Sequence, residues 1–170
     1  MADAEATLAG VSGDRSLARD FFAKYIAGHD VADYGRLLSR AGLLVRKRNA
    51  GRAWLGDLRL DPRGGARVAS LVAPTWPIYA AGIDQDDELL QLGGQRIGGE
   101  ADVSRALQSR RPGETLTVVF ADRTGLRKTG AITLADDPHL EVVPEEVSQG
   151  AGSLTPAARS FRDRWLNHRP

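Results

Sequence analysis

Three histidines, His29, His139 and His168, are the only imidazoles in 170 residues, and there is no cysteine. A helical zinc-hydrolase motif needs His-Glu-x-x-His, so that two imidazoles on one helix face reach one metal and the glutamate activates its water. That motif is absent, and each histidine stands alone. Asp137, His139 and Glu141 alternate, which places them on one face of an extended segment, and a solvated edge strand explains that pattern. No serine has a histidine neighbour to suggest a triad. The glycines at Gly64, Gly93 and Gly98 have neither Walker nor dinucleotide spacing. The sequence therefore assigns no catalytic residue, no metal ligand and no cofactor to this chain.

The elements that could position other chemistry fall into three stretches. Leu17, Phe21, Phe22, Tyr25 and Ile26 recur at helical spacing from a start at Asp14 or Ser16 to Gly28. A second stripe of Val31, Tyr34, Leu37, Leu38 and Ala41 comes after an Asp30 cap, with Asp33 suited to the first turn, and closes at Gly42. The opening stretch from Ala2 to Leu8 is too short to stand alone, as expected of a piece excised from a longer protein. A hairpin of two such helices cannot bury both stripes by itself. It must pack on the β-rich segment after Gly42 or on a domain outside this chain.

From Leu43 the pattern changes to short β-like runs separated by turns. Leu43 to Val45, Trp54 to Leu60, Ala66 to Ala73, Glu88 to Leu92, Thr115 to Ala121 and Ala131 to Leu134 are predicted strands. Pro62-Arg63-Gly64-Gly65, Gly93-Gly94 and Asp122 to Gly125 are turns between them. Helices are predicted at Glu100 to Ser109 and, for one turn, at Pro77 to Ala81. The set implies an α+β fold with a partly open β-barrel of five to six strands and two short helices. Leu140 to Val143 adds a strand, Ser148 to Ser153 reads as a linker, and Thr155-Pro156 opens a last helix. Phe161 and Trp165 share one face of that helix and are expected to dock it.

Hydrophobic residues at 42% and charged residues at 26% are globular values, and 23 basic against 22 acidic side chains leave no bulk field. Nucleic acid and membrane partners are not expected. No apolar run approaches the roughly 18 residues of a membrane span. The expectation is a soluble protein, cytoplasmic or periplasmic, and the 20 Arg against 3 Lys with 19 Gly resemble the coding bias of a GC-rich bacterium.

The middle of the chain resembles a PDZ domain of the bacterial, protease-associated kind. The matching runs are Ala53-Trp54-Leu55-Gly56, Val68 to Val72, Pro77 to Ile83, Asp86-Asp87 to Gly93-Gly94, and Arg111-Pro112-Gly113 to Val118, in order and at PDZ-like spacing. The flanks are similar to the C-terminal region of the glycyl aminopeptidase family of zinc metallopeptidases. Phe21-Phe22, Tyr25, Gly28, Tyr34 and Ala41-Gly42-Leu43 match the end of its peptidase domain, and Leu154-Thr155-Pro156 with Phe161 to Leu166 match its closing helix.

The resemblance implies three regions: residues 1–48 as a helical hairpin ending a peptidase domain, 49–136 as a PDZ domain, and 137–170 as strand, linker and docking helix. It implies a parent with a thermolysin-like domain, outside this chain, that carries the zinc. The chain itself is then a non-catalytic fragment that binds peptide or positions substrate, with a peptide or protein segment and the parent's own peptidase domain as partners. A purely structural brace with no ligand is the alternative, and the PDZ module of a trypsin-like stress protease fits less well because such modules lack these flanking helices.

By the same resemblance a peptide would add as a strand beside Trp54 to Leu60, its carboxylate on the loop Trp54, Leu55, Gly56 and Asp57, with Arg52 assisting. Leu58 comes next on the strand, and Val103, Ala106 and Leu107 form the helix wall, at least one of them facing the core instead. Asp57 departs from the PDZ pattern. An apolar residue commonly floors the pocket there, and a carboxylate would oppose that of the peptide.

Overall fold

Glycine at position 56 and aspartate at position 87 shape the central part of the chain, and the computed structural model shows how; it describes residues 2–61, 63, 65–149 and 154–167. The chain divides into two units, Lys47–Glu141 and a second made of Met1–Arg46 with Val142–Pro170. The central unit thus runs past residue 136, where the PDZ resemblance ends, to Glu141.

In the central unit, β3 (Glu88–Leu92), β4 (Gln95–Arg96), β5 (Thr115–Ala121) and β6 (Arg127–Thr133) form an antiparallel sheet in the order β4-β3-β5-β6. Leu116, Val118 and Phe120 alternate inward along β5, the period that a half-buried strand dictates. Its partner β6 is matched from Thr115↔Thr133 to Ala121↔Arg127. A separate pair joins β2 (Ala53–Trp54) to β7 (Ala135–Asp136). These sheets do not close into a barrel. The predicted strands at Trp54 to Leu60 and Ala66 to Ala73 are largely irregular, reduced to β2 and the single bridges Leu60↔Val68 and Arg67↔Glu88. Two residues after the β2 ladder ends at Trp54, the chain takes a φ of 141° at Gly56, outside the strand region.

Helices α4 (Pro77–Ala80), with proline in its first turn, and α5 (Glu100–Leu107) cover the core. Leu55, Val68, Ile78, Ile83, Leu89, Leu92, Val118, Ile132 and Leu134 are its largest fully buried members. The carboxylate of Asp87 is also buried, and it accepts from the amides of Asp84 at 2.9 Å and Arg123 at 3.0 Å. It joins two turns distant in sequence, and a buried acceptor persists only with such donors.

In the other unit α1 (Ala2–Ser12) precedes α2 (Arg15–Phe21), which runs into a π-helical turn at Phe22–Ile26. The α1 helix is a correction to the sequence reading, which left that stretch unassigned. Asp14 caps α2, accepting from Ser16 and Leu17. Helix α3 is shorter than predicted, Tyr34–Ser39, because Asp33 rather than Asp30 caps it through the Arg36 amide. Strands β1 (Leu43–Lys47) and β8 (Leu140–Pro144) pair, and α6 (Glu145–Gln149) occupies residues read as the start of a linker. Leu154 packs on Gly42, whose φ of 64° and missing Cβ make room for it. Helix α7 (Pro156–Asn167) is tied by a bidentate pair from Arg162 to Glu146. Phe161 and Trp165 stay 46% and 52% exposed, so the tie runs through charge and Leu154 instead of the aromatic face.

Among the described residues no helix is long and apolar enough to cross a membrane.

Candidate functional site

The segment after β2 has two edges, and its main chain uses only one. Arg59 donates to the Ser70 hydroxyl and accepts from the Ala69 amide, and Asp61 donates to the Arg67 carbonyl. From Arg59 onward the odd-numbered residues therefore bond toward residues 67–70, whereas the loop before them, turned at Gly56, does not follow that alternation. Even-numbered residues must bond the other way, toward α5. There Leu60 donates to Glu100 Oε1 at 2.9 Å, while among the described residues the amides of Gly56, Asp57 and Leu58 have no protein acceptor.

Gly56, Asp57 and Leu58 line a cavity of about 340 Å³ together with residues 52–55 and one face of α5. Glu100, Val103, Ser104 and Leu107 form that face, at the i, i+3, i+4, i+7 spacing of a helix stripe. Gly56 shapes the loop from within. A Cβ there would lie 2.8 Å from Trp76 Cε3 and 3.2 Å from Ile78 Cγ2. Trp76 meets Trp54 edge-on with ring centroids 5.9 Å apart, and the Leu55 carbonyl accepts from the Ile78 amide. The neighbour that crowds this glycine, which the resemblance puts in the carboxylate loop, is the chain's own indole.

Of the residues singled out from the sequence, Arg52, Trp54, Leu55, Gly56, Asp57, Leu58, Val103 and Leu107 line this cavity. Ala106 does not: it is buried in the core. Leu58 is half-buried against core side chains and supplies an apolar surface to the cavity. Asp57 is exposed, with Oδ1 accepting from Trp54 Nε1 at 2.8 Å and Oδ2 lying 3.2 Å from His139 Nε2. Leu58 and Leu60 turn toward the core, as the alternation from Asp57 predicts.

Sequence reasoning missed Glu100 and Ser104, although the stripe spacing would have found them. It also read Asp137 and His139 as members of a solvated strand. Asp137 is instead buried, with Oδ1 accepting from the His139 amide at 2.9 Å and facing its Nδ1 at 2.6 Å, and Oδ2 accepting from Asn49 at 2.8 Å. Burial opposes ionisation of Asp137, but the His139 amide, the Asn49 amide and the imidazole outweigh it and hold the carboxyl below its usual range. The His139 imidazole is shifted upward, first by its bond to Asp137 and then by the charge of Asp57. No sequence signal announces this cluster, because Asp57 and His139 are some eighty residues apart. Among the described residues no group of three or more His, Cys, Asp or Glu side chains could hold a metal ion.

No protein-family profile matches the chain, and no curated protein does. Among solved structures, an aminopeptidase N family protein from Idiomarina loihiensis superposes with a TM-score of 0.61 at 20% identity. The match covers 81% of this chain and 26% of that one, so the chain spans about a quarter of the length of that protein. A serine endoprotease from Yersinia pestis (TM-score 0.42, 23% identity, 51% of this chain and 30% of that one) overlaps more loosely. So does the HtrA-type protease AlgW with decapeptide (TM-score 0.46, 22% identity, 52% and 30%). The likeness to the aminopeptidase N family protein is one of fold, and it extends over most of this chain.

Proposed function

We propose that this chain is the non-catalytic, peptide-binding and substrate-positioning region at the C-terminal side of a bacterial zinc aminopeptidase of the glycyl aminopeptidase type, and that its central unit is a PDZ-like domain. The zinc and the hydrolytic residues belong to a peptidase domain outside this chain. The fold shared with an aminopeptidase N family protein supports the parentage. The observation that carries the binding role is the run of unpaired amides at Gly56, Asp57 and Leu58 beside an apolar wall of Leu58, Val103 and Leu107.

A peptide lying antiparallel to residues 56–60 would pair with the free main chain of Leu58, place its α-carboxylate on the three amides and set its last side chain against Leu58 and Leu107. Main-chain pairing supplies affinity with little sequence demand. In the other unit Leu17, Phe21, Tyr25, Ile26, Tyr34 and Leu37 remain 40–61% exposed, an apolar surface suited to the parent's peptidase domain.

One observation favours the alternative of a structural brace without ligand: the Leu60 amide, which a longer added strand would use, is already satisfied by Glu100. Calorimetric titration with N-acetylated heptapeptides ending in Val, Leu, Ala or Phe separates the two readings. Binding that is lost with Leu58→Glu, in a variant whose circular dichroism is unchanged, is expected. Absence of binding to every peptide would leave the brace.

A further inference from the structure

Asp57 and Asp137 approach the two ring nitrogens of His139 from opposite sides, and this arrangement stands at the loop where a peptide end would dock. The three side chains come from separate segments. Asp57 lies just after β2, and Asp137 and His139 lie in the turn between β7 and β8. An imidazole has a hydrogen on both nitrogens only when it is protonated. Two carboxylates can therefore both be satisfied by the cation alone. The neutral ring keeps one proton, which belongs on Nδ1, where the buried Asp137 oxygen is closest at 2.6 Å. Nε2 then turns a lone pair toward Asp57, whose other oxygen is already held by the Trp54 indole.

The charged groups around this ring fix what a proton changes. Arg48 and Arg52 line the same cavity, as do Asp57, Asp137 and Glu100, and the Arg48 amide donates to the His139 carbonyl. Next to Asp137 on the chain, Asp136 is paired with Lys47 and so is already compensated. Glu141, two residues beyond the ring, has its own partner. With His139 protonated the cavity lining is electrically balanced; with His139 neutral it carries one net negative charge.

Resting on the peptide-binding reading, we propose that His139 sets the charge class of ligand the groove accepts: as the cation it clamps Asp57 and admits a peptide ending in a free α-carboxylate, and as the neutral ring it releases Asp57 and disfavours such an end. His139 acts through Asp57 and needs no contact with the peptide. Its upward shift from 6.5 means that the clamp persists above that value and opens as the solution becomes more alkaline.

The experiment uses the full chain and two acetylated heptapeptides without ionisable side chains, identical except for a free acid or an amide at the end. Affinity is measured from pH 5.5 to 8.5, and the Trp54 indole N–H resonance, which reports Asp57, is followed over the same range without peptide. The free acid should bind about fivefold more weakly once His139 is neutral, the effect of one unit charge at a few ångströms in water-like surroundings. The amide should bind alike throughout. His139→Gln should fix the free acid at its weak, alkaline affinity, and Asp57→Asn should fix it at its strong one. The Trp54 resonance should titrate in the original chain and not in His139→Gln. A Trp54 resonance that does not titrate overturns the clamp whatever peptides do. If it titrates but acid and amide bind alike at every pH, the charge rule is wrong and peptide binding stands. If neither peptide binds at any pH, the peptide reading and this proposal fall together.

Discussion

Gly56→Ala should destabilise the central unit by about 2–6 kcal/mol, and the two contributions can be separated. A φ of 141° is costly for any residue with a Cβ, on the order of 1–3 kcal/mol. The new methyl would also lie 2.8 Å from the Trp76 ring and 3.2 Å from Ile78, and forcing a group into such packing costs about 1–3 kcal/mol. Gly94→Ala is the control. Its φ of 82° carries the conformational penalty, yet no atom lies within 4 Å of the added Cβ. The difference between the two variants therefore isolates the indole contact. The assay is a urea titration in a Trp165→Phe background, so that fluorescence reports only Trp54 and Trp76, the two tryptophans of this unit. If Gly56→Ala costs no more than Gly94→Ala but abolishes peptide binding, the glycine serves the ligand's approach and the packing argument is wrong.

Glu100→Ala should free the Leu60 amide and strengthen binding of six- or seven-residue peptides severalfold while leaving tripeptides unchanged, as read by calorimetry; equal effects on both lengths would contradict the edge-capping role. Asp87→Ala should cost about 2–4 kcal/mol by stranding the Asp84 and Arg123 amides, and a urea midpoint within error of the original would refute it. Arg162 holds the Glu146 carboxyl down from 4.5 to about 2. A depressed carboxylate stabilises the fold above its unfolded value and loses that contribution as acid reprotonates it. The thermal-midpoint gap between the original chain and Arg162→Met should therefore be full above 4.5 and shrink as pH falls toward 2; a gap independent of pH would show that the pair contributes nothing.

Much of the sheet was legible because its signals are local. Leu116, Val118 and Phe120 alternate, and the strand they predict, Thr115 to Ala121, is the one observed. Asp14 announced a cap, and α5 was readable from Val103, Ala106 and Leu107. The setting of Asp57 was not: its contacts with Trp54 and His139 include one between residues some eighty apart, a tertiary fact that side-chain types do not encode. Asp137 and His139 were misread for a similar reason. Their spacing is that of an extended strand, but Asp137 accepts from the His139 amide in a turn before β8, and its other oxygen accepts from Asn49, far away in the chain. The aromatic face of α7 shows the limit of an apolar-burial argument: Phe161 and Trp165 are apolar enough to demand cover, yet they stay half exposed.

On the proposed function, an extended peptide occupies the groove between residues 56–60 and α5. The most direct test is an amide-resolved NMR titration of the chain with an acetylated heptapeptide bearing an apolar, free C-terminus, at a pH below 6.5 where His139 is charged. Saturable shifts are predicted at the Gly56, Asp57 and Leu58 amides, at Val103 and Leu107, and at the Trp54 indole, with none on α2 or α3. Shifts confined to α2 and α3, or none at the three loop amides at saturating peptide, would contradict it.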